Sequence, residues 1–267
     1  MIRDWHASSR RLLLAGLALL ALGLSGCASI PPGTTVRGDP WEHMNRHVFE
    51  FNERVDQVAI KPAAQVYQKL VPIWVRSKVS NVFGNIGDAW TSVNLLLQAK
   101  PKQALDMGFR TAINTVLGLG GMLDVAEEAG LERIASEDFG QTLGYWGIKS
   151  GPYIVLPLLG PSTLRDTTAL LLLDVRDSGA AVIWSEPRDR NGASVLQLLS
   201  TRVRLLNAGN LLDEIALDKY VFLRDAFLAR RRSQIYDGEP PEDEAAPAPY
   251  RQLIPAVFGV PQASPAY

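Results

Sequence analysis

Two histidines come nearest to a metal-binding pattern in this sequence. His43 and His47 are four residues apart, so both lie on one face of a predicted helix. A zinc peptidase of the H-E-x-x-H type places a glutamate directly after its first histidine, whereas Met44 stands there. Cysteine is absent nearby, so carboxylates would have to complete a zinc site. We therefore interpret the pair as part of a solvated helix face and predict no metal site.

Nucleophilic catalysis finds as little support. A serine triad needs a histidine base, and His43 and His47 are the two histidines that follow the N-terminal apolar segment. The G-x-S-x-G motif of serine hydrolases does not occur in the sequence. The run Gly118-Leu119-Gly120-Gly121 lacks the spacing of a dinucleotide-binding loop, and a P-loop lysine motif is missing. The sequence therefore predicts a protein that is not an enzyme and has no cofactor.

Composition excludes other classes of protein. The chain has 267 residues and a net charge of −1, which does not suit a protein that must neutralise many nucleic-acid phosphates. Hydrophobic residues make up 47% of the chain, too many for a disordered protein. A single cysteine excludes intramolecular disulfides. We predict a folded protein without a nucleic-acid partner.

The N-terminus carries the pattern of an exported protein. Arg10-Arg11 precedes a run at 12–24 that contains only leucine, alanine and glycine. The run is shorter than the roughly 20 helical residues that cross a bilayer core. A positive flank followed by a short apolar core is typical of a secretory signal peptide, which we place at residues 1–26.

The single cysteine stands where this signal ends. The motif Leu24-Ser25-Gly26-Cys27 resembles the lipobox of bacterial lipoproteins. The resemblance implies cleavage before Cys27 and covalent attachment of lipid to it, which leaves 27–38 as a lipidated tether. Ala28 follows instead of the aspartate that retains enterobacterial lipoproteins in the inner membrane. By this resemblance we expect a lipid anchor at the periplasmic face of the outer membrane of a Gram-negative bacterium.

The mature chain has the periodicity of helices. Asp39 as N-cap, Pro40 in the first turn and Glu42 at the capping-box position predict a helix start. Five apolar residues then share one face of this helix: Met44, Val48, Phe51, Val55 and Val58. Further helices are predicted over 62–70, 73–86, 89–98, 101–117, 193–206 and 218–232, with a short one after a capping box at Thr163–Asp166.

These signals predict an all-α domain over residues 39–236. In the helix at 101–117, four residues share a face: Leu105, Phe109, Ala112 and Val116. Alternating strand patterns with hairpin turns are nearly absent. The three cations at 230–232 are predicted to complement the dipole at a helix C-terminus; the alternative is contact with anionic lipid head groups. Proline, glutamate and alanine dominate the beginning of 237–267, which we expect to be a disordered tail.

The segment at 139–161 is rich in glycine, and Lys149 is its only charged residue. Gly140, Gly144, Gly147 and Gly151 would lie on one face of a helix, where small residues let a backbone or a ligand approach closely. Alternatively, the segment is a loop with glycines at turn positions. The uncharged stretch at 152–160 is either a segment that dips into one membrane leaflet or part of a buried core.

Blocks of residues that follow one another along the chain resemble the motifs of a known family. They are Asp39-Pro40-x-Glu42-x-x-Asn45-Arg46 with Phe49-x-Phe51-Asn52; Arg110 and Asn114-Thr115 with Gly118-x-Gly120-Gly121-x-x-Asp124-Val125-Ala126; Phe139-Gly140-x-Thr142-Leu143-Gly144-x-Trp146-Gly147 with Gly151-Pro152-Tyr153-x-x-Leu156-Pro157; and Thr163-x-Arg165-Asp166. From about residue 39 to 236 the chain resembles the MlaA (VacJ) family of outer-membrane phospholipid-binding lipoproteins.

The resemblance implies a function in lipid transport. It implies a ring-shaped, mostly helical domain that lies in the inner leaflet of the outer membrane and surrounds a channel. Through such a channel, mislocalised phospholipids leave the outer leaflet, which maintains the lipid asymmetry of the membrane. The implied partners are a trimeric outer-membrane porin and a soluble periplasmic lipid-carrier protein. Phospholipid is then a transported ligand, and the lipid on Cys27 is the one covalent group.

We expect eight residues to lie along the lipid path or at its gate: Phe51, Asn52, Gly140, Gly144, Gly147, Gly151, Pro152 and Arg165. On this hypothesis, Gly144→Leu would block lipid flux and leave folding intact. Two other functions stay open: a structural lipoprotein that binds a porin and carries no lipid, and a phospholipase. The phospholipase would require a nucleophile and a base, which the motifs above do not supply.

Overall fold

The computed structural model describes residues 39–174, 183 and 186–241. The predicted signal peptide, Cys27, the tether and the part of the tail at 242–267 lie outside the described residues. The chain divides into two units, residues 1–40 and 41–267, and the fold given below is that of the second unit.

The second unit is mostly helical. Its helices are α1 (Glu42–Val55), α2 (Lys61–Leu70), α3 (Ile73–Leu97), α4 (Pro101–Val116), α5 (Val125–Glu128), α6 (Phe139–Tyr145), α7 (Leu164–Ala169), α8 (Pro187–Ile215) and α9 (Lys219–Ile235). Wider π-helical turns at Asp56–Ile60 and Leu170–Asp174 follow α1 and α7. Two strands, β1 (Tyr153–Leu156) and β2 (Gly160–Thr163), lie between α6 and α7.

The first helix begins later than predicted. Trp41 occupies the N-cap position of α1, so Asp39 and Pro40 precede the helix instead of being its N-cap and first residue as predicted. Glu42 instead accepts a hydrogen bond of 2.8 Å from Nε of Arg46, one turn later. The π-helical turn comes directly before α2, whose second residue, Pro62, has no amide hydrogen to donate to the preceding turn.

The two helices predicted at 73–86 and 89–98 are a single 25-residue helix, α3. Gly84 and Gly87 weaken the local helix propensity, which is why the pattern suggested a break. A long contact with α4, the most extensive between any two elements of the described chain, offsets that weakness. Trp146 caps the C-terminal end of α3: its indole nitrogen donates a hydrogen bond of 3.0 Å to the carbonyl of Leu97.

A β-hairpin corrects the all-α prediction. β1 pairs antiparallel with β2, with Tyr153 opposite Thr163 and Leu156 opposite Gly160. Residues 157–159 form the turn, in which Leu158 takes a φ of +64°. Tyr153 and Val155 alternate toward the interior and are 1% and 2% exposed. The hairpin was missed because only one of its strands, Tyr-Ile-Val-Leu, has high β-propensity.

The apolar core of the described chain includes two small clusters of buried side chains in contact. Leu95, Ala104 and Met107 form one cluster between α3 and α4, against which Ile134 packs. Tyr153, Val155 and Tyr220 form the other, between the hairpin and α9, with partly buried residues of α1 around it. Between these clusters the interior is largely polar, and its hydrogen bonds and ion pairs fix the positions of the helices.

Candidate functional site

Two asparagines of α1 hold the β-hairpin. Asn45 is fully buried; its Nδ2 donates a hydrogen bond of 3.0 Å to the carbonyl of Tyr153, and its Oδ1 accepts one of 2.9 Å from the amide of Val155. Asn52, two helical turns later, repeats the arrangement with the carbonyl of Leu156 at 2.9 Å and the amide of Leu158 at 2.8 Å. Each side-chain amide thus supplies the hydrogen bonds that a neighbouring strand would give to one backbone amide and one backbone carbonyl of the hairpin.

Seven of the eight predicted site residues fall into two groups. Phe51 and Asn52 lie at the turn end of the hairpin, where the side chain of Phe51 is half exposed. The other group surrounds the start of α7 and contains Gly140, Gly144, Gly151, Pro152 and Arg165. Within it, the carbonyl of Pro152 accepts a hydrogen bond of 3.0 Å from the amide of Leu164.

The glycine face is shorter than a continuous helix would make it. α6 ends at Tyr145, so Gly140 and Gly144 lie on it, whereas Gly147 and Gly151 lie beyond it with φ values of +87° and +68°. Such a φ strains residues with a side chain. The turn interpretation is therefore right for Gly147 and Gly151, and the helix interpretation for the other two.

Gly140 and Gly144 allow α6 to approach charged and apolar side chains closely. A Cβ atom at Gly144 would lie 2.6 Å from Nη1 of Arg165 and 2.9 Å from Cδ1 of Ile235. A Cβ atom at Gly140 would lie 2.5 Å from Nη2 of Arg231 and 2.6 Å from Oδ1 of Asp166. These contacts occur within the domain, so the expectation that Gly144→Leu leaves folding intact does not fit this geometry.

Arg165 belongs to a buried cluster of ion pairs. Asp166 accepts hydrogen bonds of 2.9 Å from Nε of Arg165 and from Nε of Arg231. Arg231 also binds both carboxylate oxygens of Asp138, the N-cap residue of α6. Burial alone would raise the pKa of Asp138, but the hydrogen bonds and the charge of Arg231, together with hydrogen bonds from Gln141, hold the pKa below its ordinary value.

Sequence patterns do not reveal this cluster. The three cations at 230–232 were predicted to complement a helix dipole, whereas Arg231 is buried and pairs with carboxylates 93 and 65 residues away. The capping position of Asp138 was a usable signal, because an aspartate three residues before Gln141 is typical of a helix start. Its arginine partner has no such local signal.

A second polar cluster joins α3 and α4. Arg110, fully buried, binds both carboxylate oxygens of Asp124 at 2.8 Å and lies 3.5 Å from Asp88. Nε of Arg133 donates a hydrogen bond of 3.1 Å to Asp88. Burial raises the pKa of Asp88, although both guanidiniums oppose that rise. Asn114 donates a hydrogen bond of 2.8 Å to Asp124, so two acids, two arginines and an amide close the cluster.

α4 is inverted relative to a helix of a water-soluble protein. Its apolar face carries the residues that the periodicity grouped together, and all four are exposed: Leu105, Phe109, Ala112 and Val116. Its buried face includes a cation and an amide: Ala104, Met107, Arg110 and Asn114. The buried face of α3 is also mostly polar: Asn85, Asp88, Thr91, Asn94 and Leu95. Polar groups pair inside, and apolar side chains point outward.

The same imbalance holds over the described chain as a whole. Exposed large apolar side chains greatly outnumber buried ones, and they include Trp74 and Trp146 at 66% and 62% exposure. A single exposed leucine is ordinary, but extended apolar surface marks an interaction with lipid or with another protein. Tryptophan is frequent where a protein meets the interface of a membrane. No helix among the described residues is long and apolar enough to cross a bilayer.

A polar cavity of about 320 Å³ lies between α3, the segment at 131–138 and α8. Its lining includes one carboxylate and two guanidiniums, from Asp88, Arg133 and Arg204. Hydroxyl groups supply much of the remaining polar lining, from Ser80, Ser136, Ser200 and Thr201. The sequence patterns did not single out this cavity, because its residues come from three separate segments without a common motif.

The two histidines lie side by side on α1. Their rings meet edge to face with centroids 4.5 Å apart, and both are exposed on α1. Within the described parts of the chain, no group of three or more histidine, cysteine, aspartate or glutamate side chains could hold a metal ion.

Comparison with known proteins gives consistent matches. Residues 37–234 match the family model described as MlaA lipoprotein. The chain is 36% identical over 224 residues to the intermembrane phospholipid transport system lipoprotein MlaA of Escherichia coli (strain K12), which covers 82% of this chain and 87% of that protein. It is 32% identical over 230 residues to the protein of the same name from Haemophilus influenzae, which covers 83% and 89% of the two chains.

A solved structure agrees in fold. It is described as the structural basis for maintenance of bacterial outer membrane lipid asymmetry, and its TM-score to this chain is 0.63 at 31% sequence identity. The match covers 74% of this chain and 98% of the solved chain.

Proposed function

The chain belongs to the MlaA lipoprotein family, and on that premise we propose that it removes mislocalised phospholipids from the outer leaflet of the outer membrane. In this proposal the domain is a ring in the inner leaflet that surrounds a lipid channel, and the lipid on Cys27 anchors it at the periplasmic face. The relatives named above as phospholipid transport lipoproteins support this assignment, since each aligns over more than four fifths of this chain.

One observation carries the physical side of the proposal. α4 buries Arg110 and Asn114 and exposes Leu105 and Phe109, so its apolar face needs an apolar environment outside the protein. A phospholipid bilayer supplies that environment, and burial of apolar surface in it is favourable by about 25 cal/mol per Å². In the proposed channel the phospholipid head group needs polar partners, because its transfer into hydrocarbon without a partner is very costly.

Transport of this kind requires no bond chemistry, which agrees with the absence of a nucleophile motif from the sequence. The proposal includes a trimeric porin that holds the domain in the membrane and a soluble periplasmic carrier that receives the lipid. Family resemblance supports these two partners.

The experiment uses a Gram-negative host that lacks its own MlaA-family protein. Expression of this chain is expected to lower the phospholipid that a membrane-impermeant amine-reactive reagent labels on intact cells. The purified acylated protein, with its porin, is expected to release phospholipid to a soluble carrier without producing lysophospholipid. Lysophospholipid would support the phospholipase instead, and porin binding without lipid release would support the structural lipoprotein.

The anchor has its own test. Cys27→Ala is expected to abolish acylation and to move the protein out of the outer-membrane fraction, because attached acyl chains hold a protein on a membrane by about 0.8 kcal/mol per buried CH₂. Mass spectrometry of the mature N-terminus reports the acylation. Recovery of the variant in outer-membrane fractions at full yield would contradict the assignment of Cys27 as the anchor.

A further inference from the structure

The polar cavity between α3, the segment at 131–138 and α8 has a lining with an excess of positive charge. The carboxylate of Asp88 is balanced by the guanidiniums of Arg133 and Arg110, and Arg110 also binds Asp124. Two carboxylates and two guanidiniums therefore cancel in the cluster beneath the cavity. Arg204 is left as an additional cation at the cavity wall.

Arg204 faces hydroxyl groups rather than a carboxylate. Its Nη1 donates a hydrogen bond of 2.6 Å to Oγ of Ser80, and its Nη2 donates one of 3.2 Å to Oγ1 of Thr201. Among the described residues no ion pair joins Arg204 to an acid. A guanidinium pairs bidentately with phosphate oxygens, and the hydroxyls beside it could donate to the same anion.

The size of the cavity limits what can enter. Ligand pockets of drug-sized molecules span about 300 to 1,000 Å³, so a volume of about 320 Å³ suits a polar head group and not two acyl chains. Two exposed leucines of α8, Leu198 and Leu205, lie about a quarter-turn around the helix from the lining residues. A ligand with its phosphate at Arg204 can therefore leave its acyl chains outside the cavity, against apolar surface.

We propose that this cavity binds the phosphodiester of a glycerophospholipid, with Arg204 as the principal anion-binding residue and Arg133, Ser80 and Thr201 at its sides. The assignment rests on the proposed function and adds to it a specific binding site for the lipid head group. Arg133 is suited to a secondary role, because its Nε is already bound to Asp88 and its side chain is 37% exposed.

Gly87 of α3 gives a way to fill the cavity by substitution. A Cβ atom at Gly87, which lines the cavity, would meet no other atom within 4 Å. A larger side chain there fills the cavity, and helix propensity favours the change. Gly84 differs, because a Cβ atom there would lie 2.9 Å from the guanidinium of Arg133.

The test measures binding to the purified acylated protein in a neutral detergent by isothermal titration calorimetry. The probes are a short-chain phosphatidylglycerol, the diacylglycerol with the same chains, and inorganic phosphate. Arg204→Gln is expected to weaken phosphatidylglycerol binding at least about tenfold, as the loss of charge-assisted hydrogen bonds predicts. Arg188→Gln, an exposed arginine of the same helix outside the cavity, is the matched control and should bind like wild type.

Gly87→Leu is expected to abolish binding while the thermal unfolding midpoint stays at or above the wild-type value. Wild-type affinity in this variant, or equal affinity for the diacylglycerol, would overturn the assignment. If the protein binds inorganic phosphate but not phosphatidylglycerol, the assignment of the ligand as a lipid is wrong. If the chain transfers phospholipid to a carrier but Arg204→Gln and Gly87→Leu transfer at the wild-type rate, the inference fails and the proposed function stands; absence of transfer in the wild type contradicts the function itself.

Discussion

Oδ2 of Asp166 accepts a hydrogen bond of 2.9 Å from Nε of Arg231, which joins the start of α7 to the last turns of α9 across 65 residues of sequence. The other carboxylate oxygen accepts a hydrogen bond of 2.9 Å from Nε of Arg165. The three side chains are 8%, 10% and 2% exposed, so one buried carboxylate separates two buried guanidiniums. The helix α6 joins the same cluster, because its N-cap residue Asp138 accepts hydrogen bonds from Arg231 through both carboxylate oxygens.

Replacement of Asp166 by asparagine is expected to lower the free energy of unfolding by about 3–5 kcal/mol, because two buried guanidiniums lose their shared counter-charge. Denaturant unfolding in a neutral detergent, followed by tryptophan fluorescence, measures the change. Asp189→Asn, at an exposed position in the first turn of α8, should cost less than about 1 kcal/mol. Equal effects of the two substitutions would show that the buried cluster adds no stability.

Glycine-to-alanine substitutions at two helical positions should change the free energy of unfolding in opposite directions. At Gly144 a methyl group meets Arg165 and Ile235 at under 3 Å, so we expect a loss of about 1–3 kcal/mol from overpacking. At Gly192 of α8 nothing lies within 4 Å, and alanine should stabilise the helix by about 0.5–1 kcal/mol. Thermal unfolding midpoints of the two variants test both signs.

A leucine at Gly144 separates a packing role of this glycine from a role in lipid passage. If Gly144→Leu keeps the wild-type midpoint but stops phospholipid transfer to a carrier, the glycine lines the lipid path and the packing explanation is wrong. If the midpoint falls, the glycine serves the approach of α6 to Arg165 and α9. The geometry at Ile235 favours the second result.

Periodicity predicted the helices well but not which of their faces is buried. The spacing of Leu105, Phe109 and Val116 correctly indicated one apolar face of α4, yet that face is exposed. A periodic pattern shows only that two faces differ; the rule that the apolar face is buried assumes water outside. The buried Arg110 on the opposite face becomes intelligible only with Asp124, 14 residues later, as its partner.

The β-hairpin and its attachment to α1 depend on contacts between residues far apart in sequence. The hairpin has one strand of high β-propensity, and its second strand, Gly-Pro-Ser-Thr, gives no strand signal of its own. Its edge is stabilised by Asn45 and Asn52, whose bonds to β1 and its turn span 104 to 110 residues. Propensity and period describe neighbours along the chain, so contacts at that separation were not predictable from them.

Alanine at Asn45 is expected to loosen the hairpin more than alanine at Asn52. Asn45 is fully buried, so the substitution leaves the carbonyl of Tyr153 and the amide of Val155 without partners, at about 1–3 kcal/mol each. Asn52 is half-buried, so water can replace some of its hydrogen bonds to the hairpin.

Hydrogen exchange measured by mass spectrometry reports the loosening of the hairpin, through the peptide that contains β1. Faster exchange should follow Asn45→Ala strongly and Asn52→Ala moderately, while Asn191→Ala on the exposed start of α8 leaves the hairpin unchanged. Wild-type exchange in the Asn45 variant would show that the strand pairing alone holds the hairpin.

Stability should depend on pH through Glu137. Burial raises the pKa of this carboxyl from 4.5 to about 7, against the opposing effect of the 2.8 Å hydrogen bond from Gln98. Between these two values the folded protein keeps a proton that the unfolded chain has lost, so stability falls as pH rises. The pKa difference corresponds to at most about 3 kcal/mol. Lys100, Asp237 and Asp138 are the charged groups that act on the carboxyl.

Glu137→Gln removes this ionisation and is expected to flatten the pH dependence of the unfolding midpoint between pH values of about 4.5 and 7. Glu132→Gln, on an exposed residue of the same segment, should leave the wild-type slope. A slope that survives in the Glu137 variant would assign the pH dependence to other groups.

The inverted polarity of α4 predicts opposite outcomes for asparagine on its two faces. Phe109 is 58% exposed, so Phe109→Asn should change the unfolding free energy in detergent by less than about 1 kcal/mol. It should weaken binding of the unacylated Cys27→Ala chain to phosphatidylglycerol-containing vesicles about tenfold or more, because a buried phenylalanine contributes about 1.5–3 kcal/mol. Met107→Asn, at a position with 0% exposure, should instead lower stability by about 2–5 kcal/mol. Vesicle flotation measures the first effect and denaturant unfolding the second. If Phe109→Asn floats with the vesicles like its parent, the apolar face of α4 does not contact lipid, and its exposure must be explained by a protein partner.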